Sequence, residues 1–376
     1  MIEKKYRLDN IGLLSTDNNW NLVLIEDSKK INKVDNRNNS ILPISKPIYF
    51  DIHPSFNCNF RCIFCYNTFL GNWSNKTIMS KKTIKNIISY CDKNGVFWLN
   101  VLGGEPWHPK NIENTRFIIK EAYKHNIRVD VTTNGYYINK KTVDFCKKYD
   151  VRFNISLLAL NKCTGSEITG IKNYNLICKI DKYLNNKINF GISTPIIKQN
   201  KNEIFELCNY INKLSNYSWV LRYPTLPDNN NINLSKSEFF TIAKKIIKKS
   251  NKNVYFDAPF AYKKFNIKPP KNKLDFLYCG CKAGYLKLEV LPNGDIVRCG
   301  LLRKTDGVIG NINYDWDNIK LSLKHRNKKI NCNNKNCDYK SFCTGCPGYA
   351  ILNNKLFDDR CLCYAKNKTD KRNCSK

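Results

Sequence analysis

The sequence has no uncharged apolar run that approaches a membrane span, and Met1-Ile2-Glu3-Lys4-Lys5 is not followed by the apolar stretch of a secretion signal. Secreted and membrane-spanning classes are therefore not expected, and the chain is read as soluble and cytoplasmic. Acidic residues are scarce, with 31 Asp and Glu against 63 Lys and Arg, a net charge of +32. Such a surplus attracts nucleic acid, anionic surfaces or acidic peptides. Yet Lys far outnumbers Arg and is spread with Asn through turns and helix exteriors. There is no compact basic tract with interleaved aromatics and no dedicated RNA-binding module. The charge reads as compositional bias, and neither nucleic acid nor membrane is an expected partner.

What the chain has in place of these is cysteine, 18 in 376 residues. In a reducing compartment that number argues for metal and against disulfides. A hydrophobic content of 42% allows one large domain plus a smaller one. The densest stretch runs from Asn57 to Tyr66 and carries Cys58, Cys62 and Cys65 at C-x3-C-x2-C. Thiolates so spaced in one loop can hold three irons of a [4Fe–4S] cube and leave the fourth open to a small molecule. A zinc site or buried structural cysteines are the alternatives. Zinc wants a fourth nearby Cys or His, which this loop does not offer.

Residues 1–46 form a polar N-terminal segment with one strand-like run, Trp20–Ile25. From 47 to 250 the pattern alternates strand and helix. Strands are expected at Ile48–Ile52, Phe97–Leu102, Val129–Thr132, Phe153–Leu160, Ile188–Thr194 and Trp219–Tyr223. Between them apolar residues recur at helical spacing: Ile84, Ile87, Ile88 and Cys91 after Ser80, a candidate N-cap; then Phe117–Tyr123, Val143–Tyr149, Ile177–Leu184, Ile204–Ile211 and Phe239–Ile246. Six such units imply parallel strands with right-handed crossovers, an α/β open (β/α)6 partial barrel. Loops at the strands' C-terminal ends should carry the chemistry. Residues 251–278, with Pro259, Pro269 and Pro270, read as a linker, and residues 279–376 as a small cysteine-rich domain. Cys91, Cys146, Cys178 and Cys208 read as core residues.

The cysteine loop resembles that of the radical S-adenosylmethionine (SAM) enzymes, with Phe64 in the aromatic place of C-x3-C-x-aromatic-C. The resemblance implies a [4Fe–4S] cluster whose open iron binds SAM. One electron then cleaves SAM to methionine and a 5′-deoxyadenosyl radical, which takes hydrogen from a substrate. Gly103-Gly104-Glu105-Pro106, ending the second strand, resembles the family's SAM-amino-group motif. Two glycines let backbone approach a ligand closely, and Glu105 can pair with an ammonium. Thr132-Thr133-Asn134-Gly135 resembles the family's T-N-G turn, taken only as lining. Ser156 matches a SAM-contacting serine. Where relatives place an Arg for the SAM carboxylate, this chain has Thr169-Gly170, and Arg222 at the sixth strand's end is the candidate substitute. Cys163, after the fourth strand, is the candidate catalytic thiol, against the ordinary alternative of a small buried hydrophobe.

Near the C-terminus, Leu286, Leu288 and Val290, then Asn293-Gly294, then Ile296 to Cys299 spell a β-hairpin. The cysteines around it resemble the SPASM extension of peptide-modifying radical SAM enzymes. Carried over, Cys279, Cys281, Cys299 and Cys346 would hold one auxiliary [4Fe–4S] cluster. Cys332, Cys337, Cys343 and one of Cys361 or Cys363 would hold a second. A zinc ribbon is the alternative. The implied activity is a maturase that takes hydrogen from a ribosomally made peptide and installs a cross-link or related change. The electron donor would be of the flavodoxin or ferredoxin kind. The 46-residue N-terminal segment is short for a leader-binding domain, so a separate leader-binding protein is a further expected partner. Sulfatase maturation is the alternative; its base is unplaced, Asp257 being the one candidate. Modification of nucleic acid is a third reading, resting on charge.

Overall fold

A computed structural model describes residues 5–9, 12–16, 22–25, 44–227, 231–256, 281–303, 307–314, 345–355, 358 and 360. Three short strands open it: β1 (Arg7–Asp9), β2 (Gly12–Thr16) and β3 (Leu22–Ile25), paired antiparallel in that order. Only β3 coincides with the run expected to be extended. Arg7 ties this sheet to the rest. Its guanidinium pairs with Asp9 at 2.7 Å, donates to the carbonyls of Lys46, Pro47 and Gly95, and lies over the Phe97 ring.

The main sheet begins with β4 (Tyr49–Ile52) and runs through β5 (Trp98–Val101), β6 (Arg128–Thr133), β7 (Arg152–Ser156), β8 (Phe190–Pro195) and β9 (Ser218–Arg222), all parallel neighbours. The connecting helices are α1 (Tyr66–Phe69), α2 (Lys81–Lys93), α3 (Ile112–Lys124), α4 (Lys140–Lys148), α5 (Lys162–Thr169), α6 (Leu176–Lys179, running on into a π-helical turn), α7 (Ile204–Asn212) and α8 (Lys236–Lys249). Ser80 caps α2 as expected, accepting from the Thr83 amide at 3.0 Å. The fourth strand is shorter than expected. It ends at Ser156, and Leu157–Ala159 turn into the core beneath the loop.

Two features depart from the sequence reading. β10 (Asn253–Phe256) lies within the stretch expected to be a linker, yet pairs parallel with β9. The hairpin of β11 (Lys287–Val290) and β12 (Asp295–Val297) does not stand apart as a separate layer. β11 pairs parallel with β4, with Glu289 opposite Asp51, and β13 (Gly310–Asn311) follows on β12. Leu288, Val290, Ile296 and Ile312 share one apolar core with the barrel helices. One further helix, α9 (Pro347–Leu352), starts just after Cys346.

Successive side chains of a strand point to opposite faces. On β4 to β9 one set, including Phe50, Leu99, Val131, Phe153, Ile192 and Trp219, packs into the core against the helices. The alternate set is polar toward the strands' C-terminal ends, with Asp51, Asn100, Thr132, Asn154, Ser156 and Ser193, while Tyr49 and Trp98 stack on each other at the N-terminal ends of β4 and β5. Parallel strands buried on both faces are usually apolar on both. Here the inner face of the partial barrel carries polar side chains at the strand ends.

Candidate functional site

The cysteine loop leaves β4 at its C-terminal end and is held from three sides. On one side the β5 turn hydrogen-bonds to it: Gly104 N to Ser55 O at 3.0 Å and Glu105 N to Asn57 O at 2.8 Å. Gly103 has φ +120°, and a Cβ there would stand 2.6 Å from Ser55 O; at Gly104 it would stand 2.0 Å from Asn57 O. Both glycines are thus required by loop-to-loop packing. On the second side Arg61 N and Ile63 N donate to Thr169 O and Ile168 O at the end of α5. Thr169-Gly170, standing where an Arg was sought, is therefore part of the loop's seat. On the third side the β6 turn brings Asn134, whose Nδ2 lies 3.7 Å from Cys58 Sγ and 3.0 Å from Asn59 Oδ1.

Glu105 is fully buried. Its carboxylate accepts from Thr133 Oγ1 (2.6 Å), Asn134 N (2.8 Å) and Trp107 N (3.1 Å). Burial pushes its pKa from the ordinary 4.5 to about 7, and those donors only partly offset it. The side chain expected to meet an ammonium is occupied in joining the β5 and β6 turns. Pro106 is buried and Phe64 half-buried against the core.

Cys58, Cys62 and Cys65 are all partly exposed. Burial pushes the Cys58 thiol up to about 12 and the other two upward as well. The Phe60 amide donates to Cys58 Sγ at 3.4 Å. Among the described residues no three Cys, His, Asp or Glu side chains converge as they would on one metal ion. In a cube each thiolate takes its own iron, so separated thiols in a tethered loop suit a cluster better than a single zinc.

Other expected residues fall as follows. Ser156 is half-buried at the end of β7, in register with Ser193 on β8, and the exposed Arg222 donates from Nε to Ser193 Oγ at 2.7 Å. These three lie on neighbouring strand ends. Cys163 is exposed in the first turn of α5, its amide capped by Asn161. Cys91, Cys146 and Cys208 are buried as expected, but Cys178 is exposed, on the face of α6 away from Leu176 and Ile180. Burial and neighbouring charge push Cys299 and Cys346 upward, and Cys281 is among the charges acting on both. Cys281 is thus close enough to act on Cys299 and on Cys346, although the three do not converge as they would on one metal ion. Cys279, Cys332, Cys337, Cys343, Cys361, Cys363 and Asp257 lie outside the described residues. The sequence reading passed over Asn134 as a ligand-loop partner, Asn111, which holds Asn57 O and Glu105 O, and Glu289. Asn134 beside Gly135 is too common a turn signal to single out, and the partners of Asn111 and Glu289 are distant in sequence.

Residues 52–211 match the model of the radical SAM superfamily. The match takes in the cysteine loop and the strands β5 to β8. Over most of its length the chain has the fold of SuiB from Streptococcus suis. With the structure of SuiB bound to its precursor peptide SuiA the TM-score is 0.76 at 19% identity, over 96% of this chain and 99% of that one. With native anSMEcpe, bound to AdoMet and a Cp18Cys peptide, it is 0.63 at 16% identity, over 86% and 95%. By sequence the chain is 27% identical over 267 residues to GTP 3′,8-cyclase of Clostridium perfringens strain SM101, covering 67% of this chain and 80% of that protein. It is 23% identical over 349 residues to the antilisterial bacteriocin subtilosin biosynthesis protein AlbA of Bacillus subtilis, covering 86% and 72%. The likeness to SuiB, over 96% of this chain, reaches well beyond residues 52–211. Among the described residues no helix is long and apolar enough to cross a membrane.

Proposed function

We propose that this protein is a radical SAM maturase that takes a hydrogen atom from a gene-encoded peptide and installs a cross-link or related modification. The observation that carries this is the three-thiol loop at the strand ends of a partial barrel, where the inner face carries polar side chains, flanked by Cys281, Cys299 and Cys346. The fold shared with SuiB over nearly its full length, and the likeness to AlbA, support a peptide as substrate.

Cys58, Cys62 and Cys65 would hold the cluster that supplies the reducing electron to SAM. Gly103 and Gly104 shape the adjoining turn, Asn134 steadies Cys58, and Ser156, Ser193 and Arg222 offer donors for a carboxylate. Cys281, Cys299 and Cys346, with Cys279, would hold one auxiliary cluster, and the remaining C-terminal cysteines a second. A low-potential carrier of the flavodoxin or ferredoxin kind supplies electrons. Among the described residues β3 is an edge strand of the N-terminal sheet, to which an extended leader could add by main-chain bonding; a separate leader-binding protein is the alternative.

The test is incubation with SAM, reductant and the peptide encoded beside the gene, read by mass spectrometry. Loss of two hydrogens per event supports a cross-link, and a variant with Cys58, Cys62 and Cys65 all changed to Ala should form no 5′-deoxyadenosine. The second reading, oxidation of a Cys or Ser side chain to formylglycine, draws on the fold shared with anSMEcpe. An aldehyde on a sulfatase-derived peptide, with the neighbouring peptide unchanged, would put that reading first.

A further inference from the structure

Glu289 lies on β11, 236 positions along the chain from His53, and is almost fully buried. One carboxylate oxygen accepts the Gly300 amide at 2.9 Å and lies 3.3 Å from His53 Nε2. The other accepts Lys287 Nζ at 2.9 Å, and Lys287 also pairs with Asp51. Burial alone would raise the Glu289 pKa, but Lys287, and after it His53, hold it well below the carboxylate range. Each of these partners leads somewhere specific. His53 opens the cysteine loop, and its amide is bonded to Val290 O. Its Nδ1 has no partner among the described residues, so Glu289 is the ring's anchor. Gly300 follows Cys299, and Tyr66 follows Cys65. A Cβ at Gly300 would stand 3.0 Å from Glu289 Oε2 and 3.7 Å from the Tyr66 ring. The pairs Cys65–Tyr66 and Cys299–Gly300 therefore meet with no side chain between them.

We propose that Glu289 is a positioning residue that holds the Cys299 turn against the Cys58–Cys65 loop, so that the two cysteine groups share one rigid frame. Asp51 already balances the Lys287 charge. A second buried carboxylate is costly unless it holds something in place. What it holds is the amide beside Cys299. Glutamine cannot replace it, because its NH2 would face either the Gly300 N–H or the Lys287 ammonium, donor against donor. The inference rests on the proposed function only in naming Cys299 a cluster ligand.

The experiment compares Glu289→Gln with Asp51→Asn, each first checked for an unchanged fold by circular dichroism. In the iron-free protein, maleimide labelling of Cys299 is timed by peptide mass spectrometry. Losing a charge-assisted hydrogen bond should speed labelling in Glu289→Gln by about tenfold, while Asp51→Asn, which leaves the Gly300 bond intact, should label like wild type. In the reconstituted enzyme, Glu289→Gln should alter the auxiliary-cluster electron paramagnetic resonance signal and keep the SAM-induced shift of the first cluster. Unchanged Cys299 labelling in Glu289→Gln, or an equal rise in Asp51→Asn, overturns the proposal. A wild type that binds iron for one cluster only would remove the auxiliary-cluster reading instead, and the labelling comparison would still decide the role of Glu289.

Discussion

Glu105 shows how much one residue's surroundings decide. Its carboxylate has a folded pKa of about 7 against an ordinary 4.5. The folded state therefore binds the proton more tightly than the unfolded chain. Stability is highest below about 4.5 and declines as pH rises through about 7. Glu105→Gln removes the titration, so its stability relative to wild type should rise across that window, as read by urea unfolding at several pH values. Parallel curves for the two proteins would contradict the assignment. The motif Gly-Gly-Glu-Pro was visible in the sequence, but its local use was not. The glycines make room for the Ser55 and Asn57 carbonyls, and the glutamate joins two turns, which only the packed loops reveal.

At the level of elements, the helices that follow an apolar 3.6-residue period were legible. Phe239, Ala243 and Ile246 face the core on α8, which begins with a reciprocal capping box between Ser235 and Glu238. Ser235→Ala should cost about 1 kcal/mol of stability and leave iron binding at the cysteine loop unchanged; an altered iron content would show that α8 is coupled to the loop. Less legible was α5, whose sequence, Lys-Cys-Thr-Gly-Ser-Glu-Ile-Thr, is mostly polar. It holds together through Asn161 at one end, Gly170 in the left-handed region at the other, and contact with the cysteine loop. β10 was read as linker because four residues carry little pattern. It becomes a strand by pairing with β9.

For the whole molecule, the C-terminal hairpin continues the barrel sheet at the β4 edge, and the N-terminal sheet is pinned through Arg7. The cysteine loop that follows β4 and the hairpin that leads to Cys299 are thus joined through one sheet and one core. Anaerobic reconstitution should give about twelve irons per chain, three cubes of four. An iron content near four, with zinc present, would leave the first cluster alone standing.

The sequence by itself determined what depends on near neighbours. The three-thiol spacing lies within eight residues, Asn293-Gly294 sets the hairpin, and period-two and period-3.6 patterns alternate through the barrel. Tertiary structure decided what joins distant residues. Glu289 reaches His53 and Gly300, Asn134 reaches Cys58, and polar residues of five neighbouring strands come to share one face of the sheet. The reason is physical. A hydrogen bond or a forbidden Cβ is a matter of a few tenths of an ångström between chains brought together only by the closed core, and no local pattern records that distance.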